Sequence, residues 1–134
     1  ELCALNSLYV AHDMTHIISG ISITPAGEIA LSAFQLAMGP NPVNESALLA
    51  SLITHEAGFV SVNPSLRPDN SSLDNSSAAH LLSCEMARGS CCNSDFSLVD
   101  HFQLVHLPLS TVRKQFNVLP PENPDDGHHF LWSV

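Results

Sequence analysis

Across residues 1 to about 18, Leu2, Leu5, Leu8, Tyr9, Met14, Ile17 and Ile18 recur at three- and four-residue intervals, and no proline interrupts them. That spacing lines one face of a helix, whereas a strand would need alternation every second residue. Gly20 stands where such a helix should stop. Thr24-Pro25 then reads as an N-cap followed by proline at the first helical position, and Ile29, Leu31, Phe34, Leu36 and Met38 carry a second helix to Gly39-Pro40. Beyond the Gly-Pro-Asn-Pro turn, Asn44 with Glu45 reads as another cap. Residues 47 to about 60 are apolar enough for a third, largely buried helix.

Residues 63–77 (NPSLRPDNSSLDNSS) have the Pro, Asn, Asp and Ser content of an exposed, flexible loop. Residues 78 to about 88 carry a short helical pattern ending at Gly89, residues 96–107 are apolar without a clear period, and Leu109-Ser110 opens a last helix through Phe116. From Leu119 onward, prolines with Asp125, Asp126 and Gly127 predict an irregular tail over 119–134. The expectation is a single all-α domain of about five helices, with no internal repeat.

With 134 residues, 45% of them hydrophobic, the chain has the apolar content to bury a core. Only 4 Lys and Arg stand against 13 Asp and Glu, so the net charge of -9 leaves no basic face for phosphates and argues against nucleic acid as a partner. No apolar run approaches the ~20 residues of a membrane span. Cys3, Cys84, Cys91 and Cys92 form neither a CxxC pair nor a dense framework, so reduced thiols are the default; a bridge from Cys91 or Cys92 to Cys84 or Cys3 is the alternative. Asn44, Asn70 and Asn75 begin N-x-Ser sequons and are read as cap and loop residues.

The chemistry concentrates in the run HDMTH. Four-residue spacing puts His12 and His16 on one helix face, one turn apart, which is metal-ligand geometry. Asp13 can lean toward the same face as a third ligand or as an acceptor that orients an imidazole. Glu28 follows His16 after eleven intervening residues. If the turn over residues 19–24 folds the first two helices antiparallel, its carboxylate comes within reach of both histidines. Two histidines with carboxylates suit zinc at an open site, a non-haem iron(II) centre, or manganese. Asp13 stands where an HExxH protease carries its glutamate base, which argues against that activity, and a metal-dependent phosphohydrolase would need further ligands. His55-Glu56 reads as a solvated helix end, and Cys91-Cys92 as incidental thiols. His101, His106 and the pair His128-His129, the last in a disorder-prone tail, are assigned to no site.

The order HD, two residues, H, three residues, Gly20 and then Gly27-Glu28 resembles the signature of the coenzyme Q (ubiquinone) biosynthesis protein 4 family: HDxxH, eleven residues, Glu. The likeness continues through GEIALSAFQLAM and returns in DHFQLVHLPLSTVRKQFNV, together about half of the chain. Relative to that family the chain is expected to lack the amino-terminal helices, the 63–77 loop is unfamiliar, and basic residues near the carboxy-terminal part are sparse.

The resemblance implies a divalent metal, zinc first and iron or manganese next, held by His12, Asp13, His16 and Glu28. It implies oxidative decarboxylation and hydroxylation at ring carbon 1 of a polyprenylated hydroxybenzoate precursor, and a part in organising the other quinone-biosynthesis proteins. The alternative is a non-catalytic prenyl-lipid-binding scaffold with a structural metal. Peripheral membrane association is implied as well, at the matrix side of the mitochondrial inner membrane or at a bacterial cytoplasmic membrane face. The small residues among large ones in IALSAF and ALLASLI would permit a groove for an isoprenoid chain, and exposed apolar faces would favour a homo-oligomer.

Overall fold

The computed structural model describes residues 2–61, 75–124 and 127–133, with side chains for 10–53, 79–124 and 127–133. Among the described residues, five α-helices follow one another: α1 (Leu2–Ser19), α2 (Pro25–Met38), α3 (Pro42–Ser61), α4 (Asn75–Ser90) and α5 (Leu109–Gln115). Single 3-10 turns occupy Phe96–Leu98, His101–Gln103 and Phe130–Ser133, and no strand occurs among the described residues. The domain is all-α, and none of these helices is long and apolar enough to cross a membrane.

α2 is the central element, packing chiefly against α4 and also against α3 and α1. Gly27 and every residue from Ile29 to Phe34 are buried, so apolar or small side chains meet neighbours nearly all round the helix. Phe34 meets Phe96, and Phe96 meets Phe116, with ring centroids 6.1 and 5.5 Å apart. Burying each such side chain contributes roughly 1.5–3 kcal/mol. Ile18, Ile21, Leu31, Leu81, Val112 and Val118 complete the core. The α2/α4 approach is close because position 89 is glycine: a Cβ there would overlap the carbonyl oxygen of Phe34.

Gly20 ends α1 with φ +80°, the left-handed conformation that favours glycine, and its amide donates to the His16 carbonyl at 2.9 Å. Thr24 caps α2 as expected, its Oγ1 accepting from the Gly27 amide at 3.2 Å. The same logic operates at α3, but with the cap three residues before the expected Asn44. Asn41 Oδ1 accepts from the amides of Val43 and Asn44 at 2.9 and 3.0 Å, and Pro42 begins the helix. Asn44 instead turns its amide nitrogen back to the carbonyls of Gln35 and Gly39.

Several other expectations change. α3 is not largely buried over its described side chains, since all of residues 42–53 are partly or fully exposed, Val43 to 70% and Leu49 to 60%. α4 takes in Asn75–Ser77 from the stretch read as loop, and runs one residue beyond Gly89; residues 63–74 of that loop lie outside the described residues. The tail is irregular but packed: His129 is buried and Trp132 lies against the core. Two arginines hold it there. Arg113 donates to the carbonyls of Ile17, Ile18, Leu131 and Trp132. Arg88 donates to those of Ser19 and Leu119 and pairs with Glu85.

Candidate metal centre

α1 and α2 are joined by the short turn after Gly20, and this brings the first turn of α2 against the last two turns of α1. Ser22 accepts nothing less than a glycine opposite it: a Cβ at Gly27 would overlap the Ser22 carbonyl oxygen. Ser22 Oγ also meets Thr24 Oγ1 at 2.8 Å, and its amide donates to the His128 carbonyl at 2.7 Å, so the turn is tied on both sides. Glu28 therefore leaves α2 next to the His12/His16 face. The positive end of the α2 dipole favours its negative charge.

Glu28 Oε2 lies 3.2 Å from His12 Nε2, and Oε1 lies 3.2 Å from His16 Nε2. The two rings meet edge to face with centroids 4.9 Å apart. One ligand atom from each of His12, His16 and Glu28 falls within 4.8 Å of the others, a spacing that can hold a metal ion.

His16 is the fixed member, 2% exposed, with Nδ1 3.2 Å from the Ile21 carbonyl oxygen. A carbonyl only accepts, so Nδ1 carries a proton, and the tautomer this selects has its lone pair at Nε2. That Nε2 is buried and makes no hydrogen bond, although the carboxylate oxygen stands 3.2 Å away. Two electron-rich atoms facing each other in this way call for a cation or a proton between them. Among the described residues, no arginine or lysine pairs with Glu28. His12 and Glu28 are 39% and 42% exposed, so the cluster opens to solvent on one side. Asp13 is exposed and lies outside this three-residue cluster.

A second group, His80, Cys84 and Glu122, also meets the spacing that can hold a metal ion. Sequence reasoning missed it. The signal available was His80-x-x-x-Cys84, ligand types one helical turn apart; Glu122 lies 38 residues beyond Cys84, and no local pattern links them.

The other histidines and thiols are placed differently. His129 Nε2 lies 2.9 Å from Glu85 Oε1, both buried. His101 is buried with neither ring nitrogen hydrogen bonded, and burial pushes its pKa below the usual histidine value, with Asp100 acting weakly against this. Cys84, Cys91 and Cys92 are free thiols. Burial pushes Cys92 up to about 11, which keeps it protonated and unreactive at neutral pH. The side chains of Cys3, His55 and Glu56 lie outside those described. No family model matches the chain, and neither a curated protein nor a solved structure matches it.

Proposed function

We propose that the chain is a divalent-metal protein of ubiquinone biosynthesis, with His12, His16 and Glu28 as ligands, acting at ring carbon 1 of a polyprenylated hydroxybenzoate. The observation that carries the metal is the buried, unbonded Nε2 of His16 facing Glu28. The pathway rests on the resemblance of HDMTH and Glu28 to the coenzyme Q biosynthesis protein 4 signature. Asp13, exposed beside His12, adds negative charge at the rim and helps recruit the cation.

Charge supports this reading. A benzoate substrate is an anion approaching a chain of net charge -9. Carboxylates are ordinarily held by arginine, yet Arg88 and Arg113 are committed to backbone carbonyls within the fold. A bound divalent ion supplies the missing positive charge and acts as a Lewis acid toward a substrate oxygen. The chain's own residues do the positioning. The Ile21 carbonyl fixes the His16 tautomer, the capped start of α2 places Glu28, and the half-exposed His12 and Glu28 leave the side from which a ring could enter.

The test is elemental analysis of protein purified without chelator, wild type beside His16→Ala and Glu28→Ala, with circular dichroism as the folding control. Each variant should keep its helicity and carry about one equivalent of metal less than wild type. Equal metal content in folded variants overturns the site. Carbon dioxide release from a prenylated hydroxybenzoate by the loaded wild type, absent in Glu28→Ala, supports turnover. Lipid binding that survives Glu28→Ala without any turnover by the wild type supports the non-catalytic scaffold instead.

A further inference from the structure

We propose that His80, Cys84 and Glu122 form a second site, for zinc or another thiophilic divalent ion, which fastens the segment after α5 onto α4. This inference is independent of the centre on α1 and α2 and of the pathway assigned to it.

Its first support is donor chemistry. His80 and Cys84 sit one turn apart on α4, with Cys84 Sγ 3.7 Å from His80 Nε2. Glu122 Oε2 completes the triangle, 3.6 Å from His80 Nε2 and 3.5 Å from Cys84 Sγ. An exposed histidine–glutamate pair by itself contributes little. A thiol inserted between the two changes the set to imidazole, sulfur and carboxylate, which matches zinc and disfavours magnesium or calcium. Three protein donors on an exposed surface leave further positions for water.

The second support is that Glu122 is delivered by a built connection. Arg88, one turn after Cys84, grips the Leu119 carbonyl through Nε at 3.1 Å and Nη2 at 3.0 Å, and Glu85 holds that guanidinium in turn. From Leu119 to Glu122 the chain passes through Pro120 and the buried Pro121, whose rings fix φ. The carboxylate therefore reaches α4 with little conformational freedom left to lose, which lowers the cost of closing a site across 38 residues.

The Cys84 thiol donates to Glu122 Oε2. Binding replaces the thiol proton with the ion: the S–H bond breaks, one proton is released to solvent, and the thiolate sulfur donates to the metal.

Cobalt(II) tests this in the full chain, reduced with a non-thiol reductant. A thiolate ligand gives a sulfur-to-cobalt charge-transfer band in the near ultraviolet, which the cluster of His12, His16 and Glu28 cannot give because it has no sulfur. The wild type should show the band, and Cys84→Ser should abolish it. Glu122→Gln and His80→Ala should weaken cobalt binding by at least the roughly 10- to 100-fold that loss of a supporting group costs a metal site. His16→Ala should leave the band unchanged. No band in the wild type overturns the proposal, as does a band that persists in Cys84→Ser, which would place the sulfur elsewhere. Unchanged cobalt affinity in both Glu122→Gln and His80→Ala, each shown to be folded, also overturns it.

Discussion

Two of the histidine–glutamate contacts among the described residues use the same chemical groups to opposite ends. His129 and Glu85 meet at 2.9 Å, both buried, and Arg88 supplies the positive charge on the other carboxylate oxygen. His16 and Glu28 meet at 3.2 Å, with only the histidine buried, and no arginine or lysine joins them among the described residues. The first carboxylate has been neutralised from within, so the contact serves the fold. The second has been left open to a cation from solution. A pair becomes a scaffold or a site according to whether the chain provides the third partner.

Removing that partner from the closed pair should have the largest effect. Arg88→Ala strands Glu85 in the interior and frees the Ser19 and Leu119 carbonyls, so stability should fall by about 3–5 kcal/mol in urea denaturation. Glu28→Gln in the open pair should change metal-free stability by no more than about 0.5 kcal/mol. Equal losses from both would break the distinction.

A smaller effect is expected at Thr24, which starts α2 and so aims Glu28. Thr24→Ala should destabilise by about 1 kcal/mol and weaken metal binding as well. Stability loss with metal affinity intact would mean that Glu28 is positioned without its helix cap.

The smallest effect concerns a third histidine whose ring nitrogens make no hydrogen bond. His101 is buried, and burial lowers its pKa in the folded chain. The unfolded chain thus takes up the proton first as pH falls. The stability of the neutral buried ring is complete above about pH 6.5 and is lost as pH drops toward the lowered folded value. His101→Leu should flatten the acid decline of the denaturation midpoint below about pH 6.5. An unchanged slope would assign that decline to other groups.

The open cluster was legible in the sequence because its parts are close in the chain. Two ligands one turn apart, a glycine stop, a Thr-Pro start and a glutamate in the next first turn are all local signals. The Asn41-Pro42 start of α3 repeats the Thr24-Pro25 pattern, but it was hidden by reading the prolines only as turn residues. The closed cluster was not legible. Glu85 and His129 are 44 residues apart, and a tail rich in Pro, Asp and Gly has the composition of a disordered segment. What orders it is two arginines bonding to backbone carbonyls, and carbonyls have no sequence signature. The exposure of α3 escaped for a related reason: apolar content predicts burial only when a neighbour covers the face.

The four carbonyls gathered by Arg113 come from Ile17 and Ile18 at the end of α1 and from Leu131 and Trp132. These are residues separated by more than a hundred positions. During synthesis, the end of α1 therefore emerges long before the segment that completes its surroundings. With ribosomal output of about 5–20 residues per second, several seconds pass in which α1 and α2 can pair before Arg113 and its partners at 131 and 132 are made. The cluster of His12 and His16 on α1 with Glu28 on α2 can thus be present in a nascent chain, but its rigid backing arrives only with residues 131 and 132.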